Sequence, residues 1–97
     1  MKSQFYLLLS LKTPTGFEAY GQYFLGDDRE FAAEIFAGLK GDNALINTNM
    51  LHLDLMETVN ELPVRIKTIC CTLDELAWNC KHIAREIFRL YAIKQAL

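Results

Sequence analysis

The chain has 97 residues, 52% of them hydrophobic and 23% charged, the composition of one globular domain with a single core and no low-complexity segment. A net charge of −2 argues against non-specific binding to nucleic acid or anionic membrane, where a surplus of Lys and Arg must face phosphate. The three cysteines are an odd count with Cys70 and Cys71 adjacent, which does not make a disulfide framework, so a reducing cytoplasmic setting is expected.

Phe5, Leu7, Leu9 and Leu11 alternate, and Tyr6 and Leu8 between them are also apolar, which reads as an interior strand. This apolar run follows Lys2, yet Lys12 closes it after seven residues with no cleavage site beyond, so it is not read as a leader. Nothing in the chain approaches the ~20 apolar residues of a membrane span. Thr13-Pro14-Thr15-Gly16 supplies a turn, and Phe17, Ala19, Gly21, Tyr23 and Leu25 alternate again to complete a hairpin. Asp27 and Glu30 have the spacing of a capping box, and Phe31, Ala32, Ile35 and Leu39 follow at helical intervals before Lys40-Gly41 stops the run. Residues 42–49 are polar and read as loop.

The pattern then recurs. Leu51, Leu53 and Leu55 alternate with His52, Asp54 and Met56. A turn over residues 57–61 leads to Leu62, Val64, Ile66, Thr68 and Cys70, with Pro63 suiting an edge strand. Thr72 and Glu75 form a second capping box, and Leu73, Leu76, Ala77, Cys80, Ala84, Ile87 and Tyr91 make an apolar stripe on a helix ending near Ala96. Phe17, Asp27, Glu30, Phe31 and Ile35 correspond to Leu62, Thr72, Glu75, Leu76 and Cys80, so pseudo-repeats of about 4–41 and 50–96 are consistent with internal duplication.

The expected architecture is α+β: ββα–ββα order, one four-stranded antiparallel sheet, and both helices on one face. The doubly apolar first strand and Pro63 favour strand order 2-1-3-4. Strand parity gives the helix-free face Tyr6, Leu8, Ser10, Tyr20, Gln22, Phe24, His52, Asp54, Met56, Arg65, Lys67 and Ile69. Tyr6, Leu8, Tyr20, Phe24, His52, Met56 and Ile69 are the candidates on it for an interface or a ligand floor. With Cys80 at the centre of the buried helix face, Trp78, His82, Arg85 and Arg89 fall on the opposite side, a stripe suited to a partner protein or an anion.

Cys70, Cys71, Cys80 and His82 lack the paired spacing of a zinc site, and their facings diverge. Cys71 precedes a helix start, a position that can favour thiolate, though no histidine base is near in sequence. There is no G-x-S-x-G, P-loop, G-x-G-x-x-G or H-E-x-x-H pattern. The expectation is a small cytoplasmic interaction module that forms a homodimer and has no catalysis of its own, with no metal or other cofactor. The competing reading is a small-ligand-binding domain using the open sheet face.

Overall fold

In the computed structural model, which describes residues 3–42 and 51–96, the chain runs β1 (Gln4–Thr13), β2 (Gly16–Gly26), α1 (Arg29–Ala37), β3 (Leu51–Val59), β4 (Leu62–Cys71) and α2 (Leu73–Ala96). The strands form one antiparallel sheet ordered β2-β1-β3-β4, so the doubly apolar β1 lies inside and Pro63 lies in an edge strand. The loop expected over 42–49 falls, beyond Asp42, outside the described residues, as does the side chain of Tyr91.

One core holds the two helices against the sheet. Ala32, Ile35 and Phe36 of α1 and Ile83 of α2 bury against Phe5, Leu7, Leu25 and Leu55, with Tyr23, Phe31, Leu39, Ile69 and Ile87 packed around them. The inward face of α2 is rotated from the expected stripe. Asn79 and Ile83 form its centre, whereas Leu73 is 73% exposed and Ala77 and Ala84 face outward. A polar residue sits at that centre because its side chain replaces a backbone partner. The Asn79 amide oxygen accepts the Lys40 N–H at 2.7 Å, and its NH₂ donates to the Lys40 carbonyl at 2.8 Å. The connection leaving α1 is thereby clamped to α2 by two part-buried hydrogen bonds to a fully buried side chain.

Helix ends follow capping chemistry. Asp28, rather than Asp27, is the N-cap of α1, accepting from the N–H groups of Glu30 and Phe31. At α2 the Thr72 hydroxyl accepts from the Glu75 N–H at 3.1 Å, and the Glu75 carboxylate accepts from the Thr72 N–H at 2.9 Å. This is the reciprocal box expected from the sequence. α1 stops at Ala37 with Gly38 as its C-cap, short of the expected Lys40-Gly41 stop. A Cβ on Gly38 would lie 2.9 Å from His82 Nε2, so the glycine permits the close approach of the two helices. Gly41 is equally constrained: a Cβ there would sit 2.6 Å from the Cys70 carbonyl oxygen, where Asp42 bridges to the outer edge of β4. The second hairpin turns on Asn60 and Glu61 alone, both at positive φ (52° and 68°), so β3 runs on through residues expected as turn.

Three register shifts interrupt the ladders: Phe5/Tyr6 and Leu9/Ser10 in the β1–β2 pairing, and Leu55/Met56 in the β3–β4 pairing. Because side chains alternate with period two, each extra residue reverses the facing of everything beyond it. These shifts decide which residues reach the open face of the sheet.

Candidate functional site

The face of the sheet away from the helices is built in cross-strand rows. Ser10, His52 and Cys70 are register partners across β1, β3 and β4, and the next row is Leu8, Asp54 and Thr68. Tyr6, Met56 and Arg65 form the third, with Phe24 of β2 beside Tyr6 at 6.1 Å between ring centroids. Directly opposed side chains lie close enough to shield each other, and His52 is only 5% exposed although no helix covers it. The Phe17 ring meets His52 edge-on at 5.0 Å, reaching across the small Ser10. On the other side of the imidazole, Nε2 lies 3.6 Å from Cys70 Sγ. The Thr68 hydroxyl donates to the Asp54 carboxylate.

The face is therefore divided. Along β3 and β4 runs a largely buried polar strip of His52, Asp54, Thr68 and Cys70, and along β1 and β2 lies an apolar half with Tyr6, Leu8, Phe17 and Phe24. Phe17 and Phe24 are 60% and 68% exposed. Between the halves, Leu8, Ser10, Phe17, His52, Asp54 and Arg65 line a shallow depression of about 190 Å³.

Tyr6, Leu8, Phe24, His52 and Met56 are thus together as expected, but Tyr20, Ile69 and Lys67 are not. Opposite Leu9, the bulge places Tyr20 with Gly21, and Tyr20 shares a depression on the helix side with Leu9, Leu11, Leu51 and Leu76. The β3–β4 bulge puts Lys67 opposite Leu55 and Ile69 opposite Leu53, and Ile69 packs into the core. In exchange Phe17 and Cys70 come to the open face. Parity counting missed Phe17; the glycine inside β2, Gly21, was the available sign of a bulge.

The second expected group lies along one face of α2 but meets two different surroundings. Trp78 and His82 lie toward the end of α1, their rings stacked at 5.0 Å and 12°, with Lys40 Nζ 4.4 Å from the indole centroid and His82 against Gly38. Arg85 and Arg89 stay exposed, and Arg89 pairs with Glu86 at 3.3 Å. All four lie at i, i+3 or i+4 spacing on one face of α2, and they differ in surroundings because only Trp78 and His82 are level with the end of α1.

The thiols sit in three different surroundings. Cys70 is buried on the open face beside His52, where burial first and then the carboxylates of Asp54 and Asp42 raise its pKa. Cys71 is buried on the helix side near Asn79, and its pKa is pushed up to about 11, chiefly by burial. Loss of water thus outweighs the adjacent helix start, and Cys71 is a buried, protonated thiol. Cys80 contacts the Tyr23 hydroxyl, whose pKa is raised to about 12 by that hydrogen bond and by burial. Among the described residues no three His, Cys, Asp or Glu side chains gather in a group able to hold a metal ion. Nor is any described helix long and apolar enough to cross a membrane. The chain matches no protein-family model, no curated protein and no solved structure.

Proposed function

We propose that this chain is an interaction module that works by self-association, forming a homodimer through the helix-free sheet face. The observation that carries the reading is the grouping of exposed Phe17 and Phe24 with half-buried Tyr6 and Leu8 on a face that neither helix covers. Fully burying Phe17 and Phe24 contributes roughly 3–6 kcal/mol gross per protomer at ~1.5–3 each, with less from the already half-buried Tyr6 and Leu8, against an association cost of about 4–15 kcal/mol. Counted on both protomers the gain is comparable to that cost, which fits a dimer of modest affinity that responds to concentration.

Edge-to-edge pairing is the less favoured route. Two bulges interrupt β2, while β4 carries Pro63 and meets Asp42 at one end. On the open face, Asp54 and Arg65 occupy neighbouring rows of β3 and β4, so a twofold axis would let each pair with its counterpart across the interface. The ββα unit recurs in each half with a hairpin and a side-chain N-cap, though the first cap is Asp28 alone and the second is the reciprocal Thr72–Glu75 box. A reducing compartment such as the cytoplasm suits its three free thiols.

One observation favours a second reading on the same face: the depression between Phe17 and Arg65 presents a buried histidine and carboxylate to a small polar ligand. Native mass spectrometry separates the two. Twice the chain mass supports the dimer, and a chain mass plus a constant small increment supports the ligand.

A further inference from the structure

On the helix side, α1 leaves part of β3 and β4 uncovered, and a groove of about 180 Å³ opens between them. Its walls are Phe5, Ala33, Phe36, Leu55 and Ile66, with the charged groups Arg29 and Lys67 also lining it. An engineered apolar cavity of about 150 Å³ is enough to hold benzene, so this groove accepts a phenyl ring or a short alkyl chain. Arg29 is already neutralised, since its Nη2 lies 3.0 and 3.2 Å from the two Glu57 oxygens and its guanidinium rests 5.2 Å from the centre of the Phe5 ring. Lys67 is different. The β3–β4 bulge turns Ile66 and Lys67 to the same side, bringing a cation to the lip of an apolar groove where regular alternation would have sent it to the opposite face. Among the described residues no carboxylate pairs with it.

We infer that this groove binds a small monocarboxylic acid with an apolar tail, the tail lying between α1 and β4 and the carboxylate meeting the Lys67 ammonium. The site stands apart from the proposed dimer face, because Lys67 and Ala33 lie on the helix side of the sheet. The charge at the lip decides the class of ligand: an apolar alcohol gains the groove but not the ion pair, and an amine meets a like charge.

The test titrates octanoate, octanol and octylamine, each below its micelle-forming concentration, into isotope-labelled protein and follows the amide resonances. Octanoate should shift Ala33, Ala37, Ile66 and Lys67 and bind about two- to five-fold more tightly than octanol, the range an exposed ion pair supplies. Octylamine should bind most weakly. Lys67→Gln should bring octanoate and octanol to equal affinity, and Ala33→Phe, which fills the groove, should abolish the shifts from all three. Should Ala33→Phe not fold, cross-relaxation between octanoate and the Ala33 and Ile66 methyls of the wild type gives the same decision. Equal affinities in the wild type, shifts confined to other surfaces, or no shifts at all would overturn the inference. Failure here leaves the oligomeric state unaffected, so it is distinguishable from failure of the dimer.

Discussion

Replacing Asn79 by alanine tests how the two helices are joined. The side chain is fully buried and holds both backbone groups of Lys40, at 2.7 and 2.8 Å. Asn79→Ala removes both bonds, leaves the Lys40 N–H and carbonyl to find water in a partly closed space, and opens a small void. At about 1–1.5 kcal/mol per hydrogen bond, with a modest addition for lost packing, the cost is about 2–4 kcal/mol. A domain of this size loses roughly 4–8 °C in Tm per kcal/mol, so the midpoint should fall by about 8–30 °C at fixed protein concentration. Asn79→Leu is the informative partner: it refills the volume without restoring either bond, and should remain at least as unstable as the alanine variant. Urea unfolding measures all three proteins. If Asn79→Ala lies within about 0.5 kcal/mol of wild type, or Asn79→Leu recovers full stability, the clamp does not hold the connection as argued.

Other perturbations follow from the caps, the turn and the thiols. Thr72→Ala should cost about 1 kcal/mol by urea melt, since it removes one side of the reciprocal cap, and coincident melts would contradict that cap. Glu61→Gly should stabilise by up to about 1 kcal/mol, because Glu61 holds φ 68° in a two-residue turn that favours glycine there, and a lower midpoint would refute this. Cys71 has its pKa raised from 9.0 to about 11, so the folded state retains a proton that the unfolded chain releases. Stability from this group is therefore complete below pH 9 and declines as pH rises toward 11, and Cys71→Ser should flatten that decline in urea midpoints measured across the range.

Much of the frame was legible because it rests on local chemistry. The unbroken apolar run of β1 declared an interior strand, and Thr72 with Glu75 declared the start of α2. What stayed hidden depends on single inserted residues and on tertiary partners. Nothing about Ile66 marks a bulge, yet its insertion sends Lys67 and Ile69 to the helix side and brings Thr68 and Cys70 to the open face. Asn79 counted as polar in the helical pattern, which displaced the inferred stripe toward Cys80. Only the position of Lys40, far away in sequence, explains why an asparagine belongs at the centre. The same tertiary contact brings His82 against Gly38, while Trp78 stays 39% exposed beside Lys40.

Sedimentation of the wild type beside the double variant Leu8→Lys with Phe24→Glu addresses the dimer most directly. Both residues lie on the open face, away from the core that joins the helices to the sheet. The wild type should move from monomer toward dimer as concentration rises, and the double variant should stay monomeric with unchanged helix and strand content. A wild type that remains monomeric at every concentration, or a double variant that dimerises as well as the wild type, would contradict it.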